Sequence, residues 1–502
     1  MCRERLLPRL LSLLVAVMVL PDVLAQSVDQ WTAWGDASMA RGEYYGASRF
    51  YAGALELEPG RMALQWKQAE ACRQSHQYDK AAELYATVHR KDMGRTHPDA
   101  LRWLGEMQLS MGDYREAERT WNKVLQKEKD KRSVVALRAV NALEGIKLAR
   151  RFKERPDTLV LEHLPGPVNT YDSEFGARLG PDSALYFTSL RGAINDDEEV
   201  IDTAAYRTVI LSSSNQGAGW SDPRTWEVSG IPGHSANAAW TAGGQRMLFT
   251  FCADGGVCRI HSAPSAGPER TATPLAGLGE EPSTQPCVVR WKDKEILFFV
   301  SDRNGGPGGS DIWWAELRDG AAVDVRPLGG NVNTSGNERT PWFDATTGTL
   351  WFSSDFHPGL GGYDIFRSTW TGSTFGPPVN AGTPINSPAN DLYPAVYPDR
   401  GEGWITSNRK GSFAAKGETC CNDLYRWRTN AAPVAAIVPE PIPSDTSTVM
   451  RRTVDLVRFQ DRFPLKLYFH NDEPESRSWA TRTSQAYGTT YQAYMALLPT
   501  YL

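Results

Sequence analysis

The sequence predicts a multi-domain protein with α and all-β parts in series: an α-helical solenoid, a closed ring of small antiparallel sheets, and a partial α/β segment at the C-terminus. Three observations carry that expectation. Small and aromatic residues recur at helical spacing with a period near 34 between residues 28 and 150, and periods of that size mark stacked helix pairs. Short strand-like runs broken by Gly, Pro, Asn and Asp recur every 53 residues between 157 and 430, which suits repeated sheets closing on themselves. A Pro-rich connector over 431–462 then sets off the last 40 residues, 463–502. A chain of 502 residues has room for roughly three or four domains, so no single core is expected.

The N-terminus reads as an export signal over residues 1–25. Arg3, Arg5 and Arg9 supply positive charge, and Leu10 to Leu20 form an apolar run of 11 residues. That run is too short to span a bilayer as a helix. Pro21 breaks it, and Val23-Leu24-Ala25 offers a small-residue cleavage site. The rival reading is a membrane anchor; under the signal reading the mature chain starts near Gln26, outside the cytoplasm. Cys2 precedes the apolar run, so it does not fit the lipid-bearing cysteine of a lipoprotein.

Of seven cysteines, Cys252, Cys258, Cys287, Cys420 and Cys421 are disulfide candidates in an oxidising compartment. Cys252 and Cys258 enclose five residues and suit a hairpin, while the adjacent Cys420 and Cys421 leave one free to reach Cys287. No CxxC…CxxC or HExxH spacing occurs, so neither a metal nor a cofactor is expected. Lys and Arg total 54 against 59 Asp and Glu, a net charge of −5 with no long basic run, which argues against nucleic acid as a partner.

Between 28 and 150 the pattern opens on Tyr44 and Ala47, with Phe50, Tyr51 and Ala54 following at helical spacing. It returns after 34 residues as Tyr78, Ala81, Leu84, Tyr85 and Val88, and after 36 more as Tyr114 and Ala117, ending in Trp121 and Val124. A small Ala lets two helices approach and the aromatics fill the space between neighbouring pairs, so packing is the expected role of these residues. Val134, Val135, Leu137, Val140, Leu143, Ile146 and Leu148 predict a last helix over 131–150 that caps the stack. The segment resembles the tetratricopeptide repeat. That resemblance implies a peptide-binding groove whose residues the sequence does not single out.

In the β region Asn333-Thr334-Ser335-Gly336-Asn337-Glu338 returns as Asn386-Ser387-Pro388-Ala389-Asn390-Asp391. Likewise Gly309-Ser310-Asp311-Ile312-Trp313 returns as Gly362-Tyr363-Asp364-Ile365-Phe366, with Asn422-Asp423-Leu424-Tyr425 a looser copy. Asp311, Asp364 and Asp423 fit no EF-type loop, and turn bonds from side chain to backbone are their expected role. Five units are clear, near 174–230, 235–277, 283–329, 338–382 and 391–430. Leu159-Val160-Leu161, joined with residues near 434–438, predicts a further one, so six blades are preferred to five. The Ser-Asp-Arg…Gly-Gly-Ser-Asp-Ile-Trp signature over 301–313 resembles the TolB-type, WD-like β-propellers of bacterial envelope proteins.

Two features of this region invite a functional reading. Ser213 to Trp220 approximates a turn of sialidase propellers, but such turns are structural, and no arginine cluster or Tyr/Glu pair accompanies it. Trp313 and Trp351 sit at repeated positions, which favours blade packing over stacking on sugars.

Beyond the connector, Phe463 to Pro474 reads as a strand with a turn and Ser484 to Leu498 as a helix. Leu467-Tyr468-Phe469-His470-Asn471-Asp472-Glu473-Pro474 resembles the opening of OmpA-like domains, with His470 where Asp is usual. The peptidoglycan-gripping residues of that family have no counterpart here, so peptidoglycan is an expected partner only if a complete OmpA-like domain is supplied.

The order of signal, tetratricopeptide stack, propeller and OmpA-like start resembles the PorE-like family of Bacteroidetes envelope proteins associated with type IX secretion. The resemblance implies a non-enzymatic scaffold in the periplasm, associated with the cell outer membrane. Its helical repeats and propeller would bind envelope proteins. No GxSxG, HExxH, Walker or dinucleotide fingerprint is present, and no catalytic residue is assigned. Two alternatives stand beside it: a secreted glycan-binding propeller module and a sialidase-like glycosidase.

Overall fold

The computed structural model describes residues 27–154, 159–192 and 207–429, apart from short breaks at 216, 218, 229–232, 254–255, 268–269, 415–418 and 420. The expected signal segment, Pro-rich connector and OmpA-like start lie outside the described residues. Among the described residues no helix is long and apolar enough to cross a membrane.

Among the described residues seven helices come first: α1 (Val28–Arg41), α2 (Tyr44–Leu57), α3 (Met62–Gln74), α4 (Tyr78–Asp92), α5 (Ala100–Ser110), α6 (Tyr114–Lys127) and α7 (Val134–Glu154). Connections of two to seven residues make each helix pack on the next. Local signals set the ends. Ser27 caps α1 by accepting from the Gln30 amide, Gly42 ends it in the left-handed region at φ +80°, and Asp113 caps α6 by accepting from the Glu116 amide.

The repeat explains the packing. Tyr44, Tyr78 and Tyr114 are the first residues of α2, α4 and α6. Three residues on, Ala47, Ala81 and Ala117 are fully buried, and seven on, so are Tyr51, Tyr85 and Trp121. Gly105 on α5 completes the fit, because a Cβ there would lie 2.9 Å from the Trp121 indole.

The last helix departs from expectation. Its buried face is made of small residues, Ala136, Ala139, Ala142 and Gly145, together with Ile146, whereas Val134, Leu137 and Val140 are exposed. The physical reason is a backbone-to-backbone approach, since a Cβ on Gly145 would lie 1.9 Å from the carbonyl oxygen of Gly359 in the β region. At Gly145 that face has no room for a side chain.

The β region forms five four-stranded antiparallel sheets. A short strand, β1 (Val160–His163), precedes them. Blade one is β2 (Glu174–Leu179), β3 (Leu185–Gly192), β4 (Arg207–Ser213) and β5 (Arg224–Thr225). Blade two is β6 (Gly233–Trp240), β7 (Arg246–Ala253), β8 (Cys258–Pro264) and β9 (Thr273–Pro274). Blade three is β10 (Thr284–Trp291), β11 (Lys294–Ser301), β12 (Asp311–Arg318) and β13 (Ala321–Pro327). Blade four is β14 (Glu338–Asp344), β15 (Thr349–Ser354), β16 (Asp364–Thr369) and β17 (Val379–Asn380). Blade five contributes β18 (Asp391–Tyr397), β19 (Glu402–Ser407) and β20 (Asp423–Arg428). The first strands close a ring: β2 packs on β6, β6 on β10, β10 on β14, β14 on β18, and β18 on β2. This is a β-propeller of five blades.

The expectation of six blades is therefore corrected to five. The strand expected to open another blade instead pairs with β20, from Val160 opposite Arg428 to His163 opposite Tyr425. It supplies the fourth strand of blade five, so both ends of the ring share one sheet and the edge of β20 is not left unpaired. Between blades the core is aromatic: Phe298, Phe343, Phe352, Phe366 and Phe375 are buried in one cluster.

Candidate functional site

The propeller axis is the first place to look for chemistry, and bulges of the innermost strands surround it. Each innermost strand carries a bulge, and one residue in each bulge adopts positive φ: Gly176, Asn237, Gln285, Thr340 and Tyr393. Three of the bulge amides are caught by a threonine of the preceding blade. Gly176 donates to Thr406 Oγ1, Asn237 to Thr188 Oγ1 and Gln285 to Thr250 Oγ1. Thr340 donates instead to Oε1 of Gln285. Arg178, buried on β2, reaches the carbonyls of Pro286 at 2.8 Å and Pro341 at 3.2 Å, and lies over the Trp342 ring. A side chain that leaves blade one and bonds to blades three and four occupies the axis. None of the five bulge residues is a carboxylate, whereas glycoside hydrolysis of the usual kind needs two flanking the bond.

Carboxylates are buried elsewhere: the repeat reading includes Glu338 and Asp391 in its copies without giving them a role, and passes over Glu174. Glu174 and Asp391 open the inner strands of blades one and five, each buried and paired with an arginine, Arg191 at 3.1 Å and Arg409 at 2.5 Å. Serines accompany them: Ser189 donates to Glu174, and Ser387 and Ser407 donate to Asp391. Glu338, in blade four, keeps the equivalent bonds from Thr334 and Ser354, but Phe356 stands in the place of the arginine. Burial pushes its carboxyl up to about 7 despite those bonds. Blade three holds the converse. Arg303 bonds Ser301, Ser283 replaces the carboxylate, and one guanidinium nitrogen is buried without a partner. Burial lowers the pKa of that guanidinium.

Asp311, Asp364 and Asp423 open β12, β16 and β20 and hold turns. Asp364 accepts from the amides of Leu360 and Gly361, Asp311 from that of Gly308, and Asp423 from Phe413 with the His163 ring at 2.6 Å. Burial, reinforced by the charge of Asp391, pushes the Asp364 carboxyl up to about 8. The repeated asparagines are staples. Asn333 and Asn386 each accept from and donate to the backbone of one residue, Ile312 and Ile365 respectively, and Asn169 accepts from and donates to Leu424. Among the described residues no group of three metal-ligating side chains comes together.

Cys252 and Cys258 form a disulfide across the β7–β8 hairpin. Cys421 is also disulfide-bonded, and Cys420 lies outside the described residues. Cys287 is a free thiol, so its pairing with Cys420 or Cys421, held open from the sequence, does not form. It sits instead in the aromatic cluster with Ile296, Phe298 and Phe343, where burial raises its pKa.

The helical stack and the propeller meet along a polar seam. The hydroxyl of Tyr78, the first residue of α4, accepts from the side-chain amides of Asn390 at 2.9 Å and Asn408 at 3.3 Å. Burial pushes that phenol up to about 12. Thr419 donates to the carbonyl of His76 at 2.6 Å, and Asn141 on α7 donates to that of Phe356 at 2.8 Å. Internal packing is what the repeat predicts for Tyr78 and Tyr114. Tyr78 in fact bonds to the propeller, and burial with the charges of Asp364 and Asp391 raises the pKa of Tyr114. Tyr44, on the outer pair, is half-buried.

Beside the seam, α2 to α5 and the loops of blade five enclose a groove of about 1020 Å³. Arg49, Lys80, Arg409 and Lys410 line it against one carboxylate, Asp79. Arg49 is exposed, Lys80 is exposed with Glu83 at 3.8 Å, and Arg409 is held by Asp391. An extended anionic segment suits a groove of that charge.

The tetratricopeptide repeat family matches residues 73–140, from the end of α3 into α7. No curated protein matches the chain. Among solved structures, the chain is similar to the β-xylosidase RS223 at 18% identity, covering 53% of this chain and 94% of that one, with a TM-score of 0.37. It is similar to a putative TolB from Agrobacterium tumefaciens at 16% identity, covering 50% and 78%, with a TM-score of 0.31. The Sgt2 TPR domain from Aspergillus fumigatus is 27% identical, covering 26% and 86%, with a TM-score of 0.22.

Proposed function

We propose that this protein is a non-enzymatic scaffold that binds other proteins, with the groove beside the Tyr78 seam as its principal docking site. The observation that carries the reading is the joint construction of that groove, since helices α2 to α5 form one wall and blade five the other. Tyr78 and Thr419 tie the two walls together, so the groove keeps its width without a ligand. A preformed groove loses little ordering entropy on binding. Its excess of cationic side chains selects an extended acidic segment of the partner. Arg178, reaching across the axis to blades three and four, together with the pairing of Glu174 and Asp391 by arginines, favours a docking role over glycosidase chemistry.

The finer reading extends the sequence resemblance. The protein works in the periplasm in association with the outer membrane, its partners are envelope proteins, and the machinery it serves is type IX secretion. Capture from cross-linked cell envelopes tests it, with the full chain compared with an Arg49→Glu/Lys80→Glu variant. The expected result is a small set of envelope proteins, depleted at least tenfold by the variant. Recovery of soluble metabolic proteins alone, or an unchanged set with the variant, contradicts the proposal.

A further inference from the structure

A second cleft, of about 190 Å³, lies at the outer end of blade three where blade four adjoins it. Three tryptophans line it: Trp291 at the end of β10, Trp314 on β12 and Trp370 after β16. The blade repeat does not explain them. Trp314 is the fourth residue of its strand, a place held by Arg367 in blade four and Arg426 in blade five. Trp291 lies six residues beyond the bulge residue Gln285, a place held by Thr346 in blade four and Asp399 in blade five. Trp370 aligns with Leu317 and Thr429. Three departures from one repeat converge on one cleft.

The three rings wall the cleft. Trp291 and Trp370 meet edge to face at 5.4 Å, and Trp314 lies 5.9 Å from Trp370 with its ring stacked on Phe298. All three tryptophans are half-buried, and the Trp370 Nε1 is shielded from solvent with no hydrogen-bond acceptor. The exposed Lys292 ammonium lies 4.7 Å from the Trp291 centroid and 5.7 Å from that of Trp370, and the exposed Arg326 guanidinium lies 5.0 Å from that of Trp314. Glu316 is paired with Lys294 and Arg318, and Asp324 is the other carboxylate of the lining. Cations already over the rings make the cleft a poor cage for a cationic ligand.

We infer that this cleft binds an acidic pyranose, whose carboxylate draws the exposed Lys292 and Arg326 off the indole faces so that its C–H face packs on them in their place. The indole faces offer dispersion contact to the apolar side of a sugar ring. The cations supply charge-assisted hydrogen bonds to a carboxylate. The volume admits one ring of a longer glycan. The inference shares no residue with the groove, so the two proposals stand or fall separately.

Isothermal titration of the full chain with tetragalacturonate at low salt tests it, with xylotetraose as the uncharged comparison. The expected result is saturable binding at one site per chain and at least tenfold weaker binding of xylotetraose. Lys292→Gln and Arg326→Gln, which alter exposed side chains only, each weaken the uronate at least fivefold. Trp314→Phe, which keeps an aromatic ring against Phe298, does the same. Loss of uronate binding in Arg49→Glu, with the cleft variants unaffected, would place the ligand in the groove and overturn the inference. No saturable binding, equal binding of xylotetraose, or insensitivity to all three cleft variants overturns the inference.

Discussion

The phenolic oxygen of Tyr78 accepts hydrogen bonds from both Asn390 and Asn408, residues 312 and 330 positions further along the chain. Tyr78 belongs to the signature of the helical repeat and the asparagines to the signature of the β repeat. Two motifs that each serve their own architecture thus meet at one buried oxygen, and the groove beside them follows from that meeting.

Tyr78→Phe removes the acceptor while keeping the ring. The side-chain amides of Asn390 and Asn408 then share one bond fewer each in a buried place, at a cost of about 1–2 kcal/mol. Urea denaturation followed by tryptophan fluorescence shows a lower midpoint with an unchanged slope.

Arg178→Met empties the axis of its charged cross-brace and leaves the carbonyls of Pro286 and Pro341 unpaired. The expected loss is about 2–4 kcal/mol, read by calorimetry as a fall of roughly 5–15 °C in the melting of the propeller. An unchanged melting temperature would show that the brace contributes nothing.

Glu338 makes stability depend on pH. Its carboxyl titrates at about 7 in the folded protein against 4.5 for the ordinary residue, so the folded state holds the proton more tightly. That contribution is fully present below about 4.5 and is lost as pH rises through about 7. Asp364, pushed up to about 8, acts in the same direction. Melting temperature therefore falls between pH 5 and pH 8, and Glu338→Gln flattens the profile. A wild-type profile that rises over this range contradicts the assignment.

Reduction of Cys252–Cys258 frees a short hairpin loop. The loss is about 2 kcal/mol, the size expected for closing so few residues. Hydrogen exchange increases in β7 and β8 while the helical stack keeps its protection.

Much of the fold is legible because the repeated residues do local work. Asn333, Asn386 and Asn169 clamp single backbone positions, and Asp311, Asp364 and Asp423 close the turn beside them, so the spacing between copies cannot drift. The units read from the sequence near 174–230 to 391–430 coincide with the five blades for that reason.

Non-local relations were not legible. Whether Val160 begins a new sheet or completes an old one depends on where β20 lies, about 260 residues later. The buried face of α7 runs through alanines rather than through Val134, Leu137 and Val140, because the nearest surface is the backbone at Gly359. The broken carboxylate–arginine pairs of blades three and four show only when the register of each blade is known, since Ser283 and Phe356 are unremarkable residues by themselves.

Pulsed electron–electron resonance between spin labels at Leu57→Cys on α2 and Asp319→Cys in the β12–β13 turn tests most directly whether the helical stack and the propeller are one rigid platform. Both sites are exposed, and the native thiols Cys72 and Cys287 are buried. The account predicts one narrow distance in the unliganded protein, which broadens when Gly145→Val forces α7 away from Gly359. A broad or two-peaked distribution in the protein without that substitution would contradict it.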